Sequence, residues 1–132
     1  MTRVFVDTSG WYAHLNRDQS GHAAIKAALK AHHGRLVTSN FVVDETLTLI
    51  RSRMSWHHAH AFGVEIRAGG LAELIRVEPA DEDAAWAIFV RYRDHVFSFT
   101  DCTSFALMQR LGLSTAIVLD DDFRTFGLTC LP

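Results

Sequence analysis

The sequence predicts an α/β fold, a three-layer α/β/α sandwich with a central, mainly parallel sheet, and three observations carry that expectation. Short apolar runs alternate with longer segments of helical period along the whole chain. The runs lack polar–apolar alternation, as strands buried on both faces do. No internal repeat, linker or low-complexity stretch interrupts the pattern, so a single domain over residues 1–132 is expected.

Val4-Phe5-Val6 is the first such run and ends at Asp7. Trp11, Tyr12 and Leu15 then share a short helix, and residues 22–32 form a second, rich in alanine and stopped at Gly34. Leu36-Val37-Thr38 is the second strand. Ser39 or Asn40 suits the N-cap of the helix after it, whose stripe is Val43, Leu47, Ile50 and Met54. Trp56, Ala59, Phe62 and Ile66 mark a fourth helix that ends near Gly69-Gly70. Leu74 to Val77 is the third strand. Asp81 is a candidate cap for a helix carrying Ala85, Ile88, Phe89 and Tyr92, and Thr100 for another that ends at Gly112. Residues 95–99 read equally as loop or strand, and Ala116 to Leu119 is the last apolar strand.

A chain of 132 residues with 48% hydrophobic content buries a core without disulfide or metal staples. Cys102 and Cys130 form neither a CxxC pair nor a secreted framework, which fits reduced thiols in a cytosol. The first apolar run is too short for a signal peptide or a membrane span, so a soluble, cytoplasmic protein with no membrane association is expected. The net charge of −2 is not the basic footprint of a typical nucleic-acid binder. If the acids cluster around divalent cations, however, the rest of the surface is positive on balance. Of thirteen basic residues only Lys26 and Lys30 are lysine; the rest are arginine, the side chain that grips phosphates bidentately.

Ligands of open α/β sheets collect outside the carboxyl ends of the strands. Asp7 follows the first strand directly and Asp120 follows the last, while Asp101 stands in the predicted first turn of one helix and Glu45 in the first turns of another. Carboxylates gathered in this way raise one another's pKa unless cations occupy the site, and oxygen donors suit Mg²⁺ or Mn²⁺ rather than zinc. Each acid also has a structural role available. Asp7 could terminate a strand in a turn, Asp101 could complement a helix dipole, and Asp120-Asp121-Asp122 could be a solvated turn with Asp122 as a cap. Asp44 and Glu45 are neighbours about 100° apart on their helix, and periodicity does not say which faces inward.

Four segments stand in order along the chain: Val4-Phe5-Val6-Asp7-Thr8-Ser9, Val42-Val43-Asp44-Glu45, Ser98-Phe99-Thr100-Asp101-Cys102-Thr103-Ser104, and Leu119-Asp120-Asp121-Asp122-Phe123 followed by Gly127. Together they resemble the PIN-domain family, and within it the VapC-type toxins of prokaryotic toxin–antitoxin pairs. The resemblance spans residues 3–130. It implies that Asp7, Glu45, Asp101 and Asp120 form a catalytic, metal-binding quartet, with Glu45 rather than Asp44 as the ligand. It also implies that Thr8 or Ser9, and Thr100 or Ser104, orient those carboxylates. The run of three aspartates departs from the commoner pattern and makes Asp122 a further candidate ligand.

The implied activity is Mg²⁺- or Mn²⁺-dependent endoribonuclease cleavage of RNA, leaving 5′-phosphate and 3′-hydroxyl ends. The implied partners are the RNA substrate, a cognate antitoxin held by the early helices, and a second copy in a homodimer. The alternative is a PIN fold that has lost its metals and only binds RNA or protein. An aspartate-nucleophile phosphatase needs a second Asp where this chain has Ser9, and a receiver domain needs a late lysine where this chain has none. His57, His58 and His60 read as a solvated helix face before they read as a metal site. Trp11, Trp56 and Trp86 read as core or interface before they read as base-stacking groups.

Overall fold

A computed structural model describes residues 2–132. Five strands form one sheet in the order β3-β2-β1-β4-β5: β1 (Val4–Val6), β2 (Leu36–Ser39), β3 (Glu73–Ile75), β4 (Thr115–Ile117) and β5 (Thr129–Leu131). All four neighbouring pairs are parallel, with Phe5 beside both Val37 and Ala116. Seven helices flank it: α1 (Thr8–Leu15), α2 (His22–Ala31), α3 (Asn40–Arg53), α4 (Trp56–Arg67), α5 (Pro79–Arg91), α6 (Phe99–Leu111) and α7 (Asp122–Phe126). The predicted α/β/α sandwich is observed. No helix among the described residues is long and apolar enough to cross a membrane.

The strands are short and almost wholly buried at the centre, which is why they read as unbroken apolar runs. Trp11 of α1 lies beneath the sheet, where its indole N–H donates to Thr38 Oγ1 (3.2 Å) and Thr38 donates on to the Val6 carbonyl (3.0 Å). That relay satisfies the polar atoms of a side chain only 1% exposed and ties α1 to β1 and β2. Gly10 lets α1 approach β4. A Cβ there would stand 2.8 Å from the Ile117 carbonyl oxygen, a backbone atom that cannot yield.

Sequence order reverses at the middle of the sheet. The chain runs outward from β1 through β2 to β3, then returns to lay β4 on the opposite side of β1. The junction of β1 and β4 is therefore the topological switch point, where the loops leave a crevice.

Several boundaries differ from expectation. The N-cap of α6 is Ser98, not Thr100, because Ser98 Oγ accepts from the Asp101 N–H (3.0 Å) and Asp101 accepts in return from the Ser98 N–H (3.1 Å). The N-cap of α5 is Glu78. Asp81 sits at the third helical position, accepts from the Glu78 N–H (2.8 Å), and is held by Arg110. Asp121, not Asp122, precedes α7, with no side-chain cap bond. Residues 95–98 are loop. Strand β3 ends at Ile75 because the Val77 N–H is diverted to Asn40 Oδ1 (2.7 Å). Strand β5 was not expected at all.

Candidate metal centre

Asp7 leaves β1 as the N-cap of α1, with extended backbone angles (φ −89°, ψ 168°). Its Oδ2 accepts from the Ser9 hydroxyl (3.3 Å) and, at longer range, the Ser9 N–H (3.4 Å). Ser9 Oγ in turn accepts from the Leu119 N–H (3.0 Å), so one hydroxyl couples the end of β1 to the loop after β4. Asp7 is 2% exposed, yet its Oδ1 is buried with no partner. Burial, then the charges of Asp101 and Asp120, push its pKa to about 8; the Thr8 N–H opposes the rise, and Glu45 adds to it.

Asp101 is held by its reciprocal bonds with Ser98, one turn inside α6. Burial raises its pKa to about 7 against the Ser98 N–H, with Asp120, Asp122 and Glu45 adding to the rise. Asp120 keeps an exposed face. The protein behind it still withdraws enough water to raise its pKa, and Asp122, Asp121 and Glu45 reinforce the rise, while the Asp122 N–H (3.2 Å) opposes it. Aromatic packing brings this turn to Asp101: Phe123 is fully buried against Phe105 of α6, and Phe126 stacks on the same ring at 4.2 Å.

On α3, Asp44 is exposed and Glu45 half-buried. Glu45 bears electrostatically on Asp7, Asp101 and Asp120, and Asp44 on none of them, so the inward-facing acid is Glu45. Asp122 bears on both Asp101 and Asp120, whereas Asp121 bears on Asp120 alone and pairs with Arg124 (3.0 Å). The structure thus gathers Asp7, Glu45, Asp101, Asp120 and Asp122 at the switch point.

Among the supporting hydroxyls, Ser9 bonds Asp7 as expected. Thr8 faces Thr46 instead, their hydroxyls 3.2 Å apart. Neither Thr100 nor Ser104 bonds an acid. Thr100 gives its carbonyl to Thr103, and the buried Ser104 Oγ has no partner. The group that orients Asp101 is Ser98, at the Ser-x-x-Asp spacing of a capping box.

Among the described residues, no three Asp, Glu, His or Cys side chains already meet in ligating geometry. The donor chemistry nevertheless fits a hard divalent cation. All the gathered donors are carboxylate oxygens, one is a buried atom without a partner, and burial together with the neighbouring acids raises the pKa of Asp7 and Asp101, a rise that a bound cation would oppose. The histidines of α4 serve that helix. His58 Nδ1 lies 2.6 Å from Ser55 Oγ, and His60 stacks on Trp56 at 4.8 Å. Cys102 and Cys130 are free thiols.

A parallel sheet with acids gathered at its switch point is the architecture of the PIN domain, and that family's profile matches residues 4–127. The chain belongs to the PIN-domain family. Among its relatives, the 23S rRNA-specific endonuclease VapC20 of Mycobacterium tuberculosis is 38% identical over 127 residues, covering 94% of each chain. The crystal structure of Mycobacterium tuberculosis VapC20, described as a Sarcin-Ricin loop cleaving toxin, superposes with a TM-score of 0.90 at 33% identity over 96% of both chains. DNA-bound VapBC from Salmonella typhimurium superposes with a TM-score of 0.72 at 12% identity, over 98% of this chain and 97% of that one, a likeness of fold alone.

Proposed function

We propose that the chain is a metal-dependent endoribonuclease, the toxin of a toxin–antitoxin pair, that hydrolyses phosphodiester bonds in ribosomal RNA. The observation that carries the reading is Asp7, a carboxylate buried at the switch point with one oxygen unpartnered and three further acids bearing on it. The similarity to VapC20 over 94% of the chain supports 23S ribosomal RNA as the substrate class.

Asp7, Glu45, Asp101 and Asp120 would hold Mg²⁺ or Mn²⁺, with Asp122 at the edge of the set. A bound divalent cation supplies the positive charge that activates water and offsets the departing oxygen in phosphodiester hydrolysis. The chain's own residues fix the geometry. Ser9 holds Asp7 Oδ2 and leaves Oδ1 free, and Ser98 holds Asp101 Oδ2. The Asp122 N–H holds Asp120 Oδ1. No side-chain nucleophile is required.

Two further surfaces belong to this reading. A groove of about 750 Å³ between α3 and α4, walled by Leu47, Trp56, Ala59 and Val64 and rimmed by Arg51 and Arg67, suits an amphipathic antitoxin segment carrying acidic side chains. Helix α5 exposes Trp86 (60%), Phe89 and Val90, an apolar face suited to a second copy of the chain.

The test is cleavage of ribosomal RNA by the purified protein with Mn²⁺ or Mg²⁺, beside an EDTA control and the Asp7→Asn variant. Metal-dependent cutting lost in both controls is the expected result. A folded, antitoxin-free protein that cuts nothing would make the chain an RNA- or protein-binding PIN fold instead.

A further inference from the structure

Beside Asp120 lies a cleft of about 300 Å³ that the acids do not account for. Four parts of the chain build it: Ser9 and Tyr12 of α1, Gln19 from the turn before α2, Leu49 and Arg53 of α3, and Leu119 with Asp120 after β4. Its walls are apolar on two sides. Leu119 is 37% exposed, and the chain passes so close behind it that a Cβ on Gly21 would stand 3.0 Å from a Leu119 methyl.

Arg53 is the informative residue. It stands at the C-terminal end of α3 with its guanidinium 5.6 Å from the Tyr12 ring centroid, and among the described residues it has no carboxylate partner within salt-bridge distance. The Tyr12 ring beneath it is 7% exposed, and the phenol oxygen accepts from Asn16 Nδ2 (3.0 Å), so the surface carrying the guanidinium is fixed. A guanidinium beside a cluster of acids, yet paired with none, is set for an anion brought by a ligand. Gln19 adds an amide at the rim, with both a donor and an acceptor free to read a base edge.

We infer that this cleft is a nucleotide subsite for single-stranded RNA, seating the nucleoside next to the scissile phosphate. The base lies between Leu49 and Leu119, Gln19 contacts its edge, and Arg53 pairs with the adjoining phosphate. The inference rests on the ribonuclease reading, and its test separates the two.

Two measurements decide it: steady-state cleavage by Arg53→Gln and Arg53→Lys, and equilibrium binding of a fluorescein-labelled, mixed-sequence single-stranded oligoribonucleotide in the inactive Asp101→Asn background. Arg53→Gln should raise KM about tenfold, the worth of one charge-assisted hydrogen bond, with kcat nearly unchanged. It should also flatten the salt dependence of binding by about one phosphate contact, and Arg53→Lys should restore that slope. Gln19→Ala should change which nucleotide is preferred at the cut.

A fall in kcat at constant KM would overturn the subsite and make Arg53 a partner of Asp120. Unchanged KM and binding would overturn it as well. If the wild type cuts nothing while Arg53→Gln still weakens oligonucleotide binding, the subsite stands and the nuclease reading falls. If the oligonucleotide does not bind while the wild type still cuts ribosomal RNA, the subsite falls and the nuclease reading stands.

Discussion

Asp7 and Asp81 are buried to almost the same degree, 2% and 3% exposed, and their environments push them in opposite directions. Asp81 is fully paired. Arg110 donates to both of its oxygens (2.8 and 3.0 Å), the Glu78 N–H adds a third bond, and these hold its carboxyl below the usual range despite burial. Asp7 has only Ser9 and a backbone N–H against burial and neighbouring negative charges, and its pKa rises to about 8. Asp81 joins α5 to α6 and stabilises the fold. Among the described residues Asp7 has no such cation beside it, and burial together with like charges disfavours its ionised form in the metal-free fold, the kind of environment that candidate functional groups share.

The largest way to break the comparison is substitution of Asp7. Asp7→Asn should lower ribosomal RNA cleavage by about two orders of magnitude or more, roughly 3 kcal/mol in the barrier. The same variant should raise the thermal midpoint of the metal-free protein above pH 7, because a neutral amide avoids burying a charge. A lowered midpoint measured in EDTA would assign Asp7 to the fold. The opposite pattern is expected at the other site. Asp81→Ala should cost about 2 kcal/mol in denaturant unfolding, from lost charge-assisted hydrogen bonds, while activity per folded molecule is preserved.

The pH dependence sharpens the contrast. Asp7 and Asp101 have folded pKa values raised to about 8 and about 7 from 3.8, so their favourable contribution is complete below the unfolded value, declines as pH rises above it, and is lost once pH has risen through the folded values. Asp81 has a lowered value, so its contribution is present above 3.8 and is lost as pH falls through the folded pKa. Melting in EDTA across pH should therefore show two limbs, with Asp7→Asn reducing the decline between the ordinary carboxylate range and about pH 8 and Asp81→Asn reducing the decline at lower pH. A limb left unchanged by its own substitution would refute that assignment. The smallest effect is expected at Asp121→Asn. That side chain is 86% exposed and paired only with Arg124, so cleavage and melting should both stay close to wild type.

The same contrast marks what was legible in the sequence. Asp7 follows β1 directly and Asp120 follows the apolar run that contains β4, which ends at Ile117 rather than at the expected Leu119, so strand order places both at the crevice. Glu45 and Asp44 are adjacent on one helix, and only the packed position of α3 shows that Glu45 is the inward one. Asp81 was read as a cap, but its partner Arg110 lies one helix further along, and no local spacing announces an ion pair between α5 and α6. Strand β5 escaped because Thr129-Cys130-Leu131 is a partly exposed edge strand without the apolar run that marked the others. Ser98 is legible through its capping-box spacing to Asp101, although Thr100 offers a second cap-type residue in the same stretch.

The strand order also has a consequence for synthesis. Strand β1 emerges from the ribosome first, but its neighbour β4, the turn carrying Asp120 and the closing strand β5 emerge last. For as long as a nascent chain lacks those residues, Asp7 has no acids facing it from β4's side and the crevice has only one wall. If the chain cuts ribosomal RNA, the ribosome that translates it is exposed to an assembled site only when the final strands have left the exit tunnel. By then every segment that builds the α3–α4 groove is already outside, available to a partner before the acids are complete.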